Sequence, residues 1–204
     1  MIFPSTLSHK TGPPLTAAEA LVEHHRHHGG VSRNEKFRYF VEQILGLPPD
    51  PAKVNSLVAR YADEVHHRLL GCAAASGLKE LRQATPGVRW AVVSGGAQVE
   101  LREVFTRRGL APLFDAGIYG SPDDKHALLA RLRETGALDG PSVYLGDSRY
   151  DHEEATCAGL DFVFISGWTE FEGWHEYCTC HALPVAHDLS AFLDTTGGSS
   201  NRVE

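Results

Sequence analysis

An α/β fold preceded by a small all-helical unit is what the sequence predicts, and three observations predict it. Up to about residue 70 the apolar residues repeat at helical spacing. From about residue 87 short apolar runs alternate with amphipathic helices, and two of those runs end in Ser94-Gly95-Gly96 and Gly146-Asp147. Strands alternating with helices imply a mostly parallel sheet with helices on both faces. A chain of 204 residues suits one such core plus a helical insert.

Residues 1–16, with Pro4, Gly12, Pro13 and Pro14, read as an irregular segment. Thr16-Ala17-Ala18-Glu19 then has the spacing of a capping box, in which two side chains satisfy free amides at a helix start. Gly29-Gly30 stops that helix. In a second helix Phe37, Phe40, Val41, Ile44 and Leu45 fall on one stripe. Asp50 caps a third and Pro51 takes its first position, where a missing N–H costs nothing. Val54, Leu57, Val58, Tyr61 and Val65 mark its inner face. The helical unit is placed at 17–75 and the α/β core at 76–194.

Within the core, Val88 to Val93 is a buried-strand candidate, followed by a helix with Leu101, Val104 and Phe105 on one face. Phe114 to Tyr119 reads as extended. Ser121-Pro122-Asp123-Asp124 opens the next helix, with Ser121 as cap and Leu128, Leu129 and Leu132 facing inward. Ser142 to Leu145 is a strand, Asp151 to Ala158 a helix, Asp161 to Ile165 a strand, and Trp168 to His181 a helix. The Gly- and Ser-rich tail, 195–204, is expected to be disordered.

Composition narrows the function classes. The longest apolar runs, Trp90 to Val93 and Phe162 to Ile165, are far too short to span a bilayer, and no membrane partner is expected. Met1–Phe3 is followed by Pro4, Ser5 and Thr6 rather than by an apolar export segment, so a cytoplasmic protein is expected. Its four cysteines are then expected to be reduced thiols. The net charge of −7 argues against a nucleic-acid partner, which needs clustered Lys and Arg. It leaves room for a small phosphorylated molecule, because a site can be locally positive on an acidic protein. His24, His25, His27 and His28 read as a polar helix face, and His175, Cys178, Cys180 and His181 as ordinary helix residues rather than a zinc site. Nothing in the sequence specifies an oligomeric state.

Ligands of open α/β sheets sit at the carboxyl ends of strands, and three features gather there. Ser94, Gly95 and Gly96 place a hydroxyl and backbone amides where they can cradle a phosphate. Lys125 sits just inside the positive end of a helix, an unfavourable place for a cation unless an anion shares it. Asp147 and Asp151, on Gly146-Asp147-Ser148-Arg149-Tyr150-Asp151, are two carboxylates able to face one site, the kind of donor Mg²⁺ takes.

The order of these features, strand–Ser94, then Ser121-Pro122 with Lys125, then strand–Gly146-Asp147 with Asp151, resembles the second, third and fourth motifs of the haloacid dehalogenase superfamily, in its phosphatase-type branch with a helical cap. Ala158-Gly159-Leu160-Asp161-Phe162 is similar to the segment that follows the fourth motif, and the resemblance runs over residues 88–167. It implies a Rossmann-like core. It also implies that Ser94 and Gly95 bind phosphate, that Lys125 neutralises phosphate and nucleophile as a catalytic residue, and that Asp147 ligates Mg²⁺. Asp151 would support the metal or Lys125. Residues 17–75 would be the cap, with Arg33 and Lys36, in a stretch similar to a cap loop of the family, meeting an anionic substrate. The family's first motif, a strand ending in Asp-x-Asp that carries the nucleophile, has no counterpart: no Asp precedes Asp50. Either the strand is encoded upstream of the recorded start, or the motif is lost. The expected function is Mg²⁺-dependent hydrolysis of a small phosphorylated metabolite, with little turnover in these 204 residues. The alternative is a non-catalytic relative that binds a phosphorylated ligand or a protein partner.

Overall fold

The structure is a computed structural model that describes residues 15–28 and 31–197. Helix α1 (Ala17–His27) starts as its capping box dictates: the Glu19 amide donates to Thr16 Oγ1 at 3.3 Å and the Thr16 amide donates to Glu19 Oε2 at 2.8 Å. Its expected stop, Gly29-Gly30, lies outside the described residues. Helix α2 (Arg33–Tyr39) is capped by Ser32 and widens into a π-helical turn over Phe40–Ile44, which sinks Val41 completely. Asp50 caps α3 (Pro51–Gly71), accepting the Lys53 amide at 2.9 Å, and Val54 is buried on its inner face.

The rest alternates strands and helices. Strand β1 (Ala91–Ala97) pairs in parallel with β2 (Gly117–Ser121); β3 (Val143–Gly146), β4 (Asp161–Ile165) and β5 (Val185–Ala186) form a second parallel ladder. Between them run α5 (Gln98–Arg107), α6 (Lys125–Glu134), α7 (Arg149–Cys157) and α8 (Trp174–Cys180). The expected single sheet is therefore two ladders. Among the described residues no backbone ladder joins β1 to β3, and the Tyr144 hydroxyl instead reaches across to the Val93 carbonyl at 3.4 Å. The apolar floor is made by Phe164 and Ile165, both fully buried, with Phe162, Ala155 and Cys178 around Phe164 and with Leu128, Leu129 and Leu132 of α6.

Several expected boundaries shift for visible reasons. Strand β1 begins at Ala91 rather than Val88 and continues through Ser94-Gly95-Gly96, so Ser94 does not cap α5. Asp124, not Ser121, caps α6, accepting the Ala127 amide at 2.8 Å, while Ser121 closes β2. The helix expected over 168–181 is confined to Trp174–Cys180. The amides of Ser166 and Gly167 instead donate to the Ala186 and His187 carbonyls at 2.9 and 2.8 Å, carrying the chain on beside β5. Two short helices went unanticipated, α4 (Leu78–Ala84) and α9 (Leu189–Gly197), which pack together. Residues 195–197, expected to be disordered, belong to α9, and the remainder of that tail lies outside the described residues. Among the described residues no helix is long and apolar enough to cross a membrane.

Candidate active site

The carboxyl ends of β1 and β3 face a buried polar cluster centred on Asp151. This residue sits in the first turn of α7, whose cap is Ser148: the Asp151 amide donates to Ser148 Oγ at 3.1 Å. Gly146 makes room for it, since a Cβ there would lie 2.6 Å from Asp151 Cβ. The carboxylate is fully subscribed. Oδ1 accepts from the Lys125 ammonium and, at 3.0 Å, from the Tyr144 hydroxyl. Oδ2 accepts from Ser148 Oγ at 2.7 Å and from the Asp147 amide at 3.3 Å. A carboxylate offers about four acceptor positions, so none is left for a cation.

Lys125 and Asp151 are 6% and 3% exposed, so each depends on the other for its charge. Burial alone would raise the Asp151 pKa; the Lys125 charge and the donors Lys125, Ser148 and Tyr144 outweigh it and hold the carboxyl below its ordinary value. Burial, with the Asp151 charge beside it, pushes the Tyr144 phenol far up, so it stays a hydroxyl donor. Asp147 has the opposite environment. Burial first, then the neighbouring Asp151 charge, push its pKa up to about 6, with Lys125 acting against them.

Ser94 lies one residue beyond the carbonyl that Tyr144 touches. Between Val93 and Ala97, paired with Tyr119 and Ser121, strand β1 carries three residues against one on β2, so Ser94-Gly95-Gly96 bulges. Gly120 permits this, because a Cβ there would lie 2.3 Å from the Gly96 carbonyl oxygen. Within the bulge the Gly96 amide donates to Ser94 Oγ at 3.1 Å, and the Ser94 hydroxyl keeps its own hydrogen to donate.

The two residues expected to meet substrate from the helical unit differ. Arg33 is committed elsewhere: its guanidinium donates to Glu100 Oε2 and Oε1 at 2.7 and 3.0 Å and lies 5.0 Å from the centre of the Tyr61 ring, clamping α2 to α5. Lys36 faces the core. Its ammonium donates to His25 Nδ1 at 2.6 Å, and His25 Nε2 lies 3.4 Å from Glu170 in the loop after β4. Burial lowers the Lys36 pKa to about 8; Glu170 opposes the shift and the Lys125 charge adds to it.

The sequence alone assigns no role to Tyr144 or Ser148. Ser148 could have been found from its three-residue spacing to Asp151, the signature of a capped helix start. Tyr144 shares a strand face with Gly146 by alternation, but its reach to Val93 depends on how the two ladders sit. A cavity of about 520 Å³ opens on the other side of Asp147, between the last turn of α1 and the loop Trp168–Phe171. Among the described residues no three His, Cys, Asp or Glu side chains converge as a ready-made metal site.

The comparisons with known proteins agree with this architecture. No curated protein matches the chain significantly. The family model described as haloacid dehalogenase-like hydrolase matches residues 11–165, a span that holds Ser94, Lys125, Asp147 and Asp151 together with α1 to α3. That match covers well over half of the chain, which therefore belongs to the haloacid dehalogenase-like hydrolase family.

Proposed function

We propose that the strand-end cluster is the phosphate- and Mg²⁺-handling half of a phosphomonoester hydrolase site. The observation that carries this reading is the buried cluster in which Lys125 and the Tyr144 hydroxyl both donate to Asp151, with the same hydroxyl oxygen 3.4 Å from the Val93 carbonyl, so that the Ser94 bulge, the lysine and Asp147 lie at one strand-end site. Ser94 and Gly95 would donate to phosphate oxygens, and Lys125 would stand against their charge. Asp151 serves as the positioning residue for Lys125 rather than as a metal ligand, because its acceptor positions are taken.

The residues present fit Mg²⁺, which commonly uses one or two carboxylates and fills its remaining positions with water and phosphate oxygens. Asp147 is the carboxylate left for it. When bound, Mg²⁺ would supply positive charge against the transferring group. Residues 17–75 would act as the cap, with Lys36 rather than Arg33 as the cation nearest the substrate. Neither Asp147 nor Asp151 is available as a nucleophile, one being needed for the cation and the other bound by four donors. No Asp precedes Asp50 to replace them, which favours ligand binding without turnover for these 204 residues.

Calorimetry and a phosphate-release assay test this together. The 204-residue protein is expected to bind Mg²⁺ weakly, Asp147→Asn to weaken that binding by roughly tenfold or more, about 1.4 kcal/mol, and phosphate release from a panel of phosphomonoesters to stay at background. Unchanged Mg²⁺ binding in Asp147→Asn would overturn the metal assignment. Robust turnover abolished by the same substitution would mean that another residue of this chain is the nucleophile.

A further inference from the structure

We infer that Arg149 is a specificity-determining residue that reads a second anionic group on the phosphorylated substrate. The inference rests on the phosphate-site reading above and deepens it to a substrate class: phosphomonoesters whose leaving group ends in a carboxylate or a second phosphate.

The cavity beside Asp147 is the starting point. Its 520 Å³ is of the size that small-molecule sites have and exceeds what a phosphate group needs. Asp147 and Ser148 form one wall of it, whereas Ser94 and Lys125 do not line it, so a leaving group that runs past Asp147 from the phosphate would enter this space. Arg149 and Arg26 line it, from the start of α7 and the end of α1. Neither has a carboxylate within ion-pair distance among the described residues, whereas Glu170, on the same wall, is already paired with His25. Glu153 also lines the cavity and lies beyond ion-pair distance of Arg149.

Arg149 is more than an unpaired surface cation. Its guanidinium carbon lies 5.3 Å from the centre of the Phe171 ring and 5.1 Å from that of Tyr177. Two aromatic rings brace the group, and among the described residues no protein acceptor takes its N–H donors. A guanidinium held in this way has lost part of its conformational freedom before any ligand arrives, so less is lost when a bidentate anion docks. Carboxylate and phosphate are the groups whose oxygens match that fork. An uncharged leaving group would leave it unanswered.

Non-hydrolysable probes make the test independent of turnover. Butylphosphonate, its ω-carboxylated analogue and its ω-phosphonated analogue would be titrated into the 204-residue protein with Mg²⁺, followed by calorimetry. At least one tailed probe is expected to bind about tenfold tighter than butylphosphonate, and which one wins distinguishes a carboxylate from a second phosphate. In Arg149→Met that advantage should shrink to within about twofold, and Arg149→Lys should retain part of it, because the charge remains and the fork does not. Equal affinity for all three probes in the wild-type protein would overturn the inference, and so would a tail preference that survives Arg149→Met. Failure of every probe to bind would remove the phosphate-site reading as well, whereas binding of butylphosphonate with no gain from a tail removes this inference alone.

Discussion

The helices before residue 72 and the α/β core after it are comparably regular and are held by different forces. In the helical part the buried apolar side chains are Val41 and Val54, while Val22, Tyr39, Leu45, Leu47 and Tyr61 stay exposed. Polar links join it to the core: Arg33 to Glu100, Lys36 through His25 to Glu170, and the Arg108 guanidinium to the Leu69 and Cys72 carbonyls. In the core, Phe164, Ile165, Leu128, Leu129 and Leu132 are almost wholly withdrawn from water, and the Lys125–Asp151 pair is buried beside them. Apolar burial is close to undirected and fixes a body rigidly. Solvent-reached ion pairs are worth little and fade with salt. The core is therefore fixed mainly by undirected apolar burial, and the helical part is tied to it by directed polar pairs.

The largest expected break in this comparison is in the floor of the core. Phe164→Ala removes a fully buried ring that stacks on Trp174 at 5.8 Å and meets Phe162 edge-on at 6.4 Å. Loss of its burial plus the cavity left behind should cost about 3–5 kcal/mol in urea unfolding. A loss under about 1 kcal/mol would mean that the core is not where the stability resides.

Second comes the buried ion pair. Lys125→Met keeps the apolar stem and strands the Asp151 carboxylate, which retains Tyr144, Ser148 and the Asp147 amide as donors. An unpaired buried charge costs about 3–5 kcal/mol, and the three remaining donors place this variant at the lower end. The double variant Lys125→Met/Asp151→Leu should recover part of the loss. If the single variant is as stable as wild type, the pair is not buried as described.

How much of this was legible in the sequence follows the same division. Local signals were readable: the Thr16–Glu19 capping box, the Asp50-Pro51 start and strand β4 fall where the pattern places them. The grouping of Asp147, Asp151 and Lys125 at strand ends was also readable, because strand–helix alternation fixes which ends come together. What the sequence could not supply was who pairs with whom. Arg33 and Lys36, three residues apart, looked equivalent, yet Glu100 neutralises one while the other faces Lys125, an outcome decided by how α2 docks. Trp168–Phe171 was expected to be the start of a helix running to His181, and the helix begins only at Trp174. Only the approach of the chain to β5, where a Cβ on Gly167 would sit 2.5 Å from the His187 carbonyl oxygen, turns Trp168–Phe171 into a cavity wall.

The smallest effect sharpens the comparison at the seam between the two regions. Burial holds the Lys36 pKa near 8 against an ordinary value of 10.5. The charged and titratable groups facing it are His25 of α1, Glu170 of the loop after β4 and Lys125 of α6. Between those two pH values the unfolded chain holds a proton on Lys36 that the folded protein has released. Unfolding then takes up a proton, and stability from this residue rises with pH. The charged form penalises the fold below about pH 8, and the penalty is relieved as pH climbs towards 10.5. Solvent still reaches the side chain, so the slope should be well short of the fully buried limit. Lys36→Met removes the group and keeps much of its stem, so it should be more stable than wild type at pH 7, with the gap closing by pH 10. Urea midpoints of both proteins across that range measure it, and the comparison cancels the cysteines and tyrosines that titrate in the same window. A gap that stays constant with pH would mean that Lys36 is as well hydrated as a surface lysine.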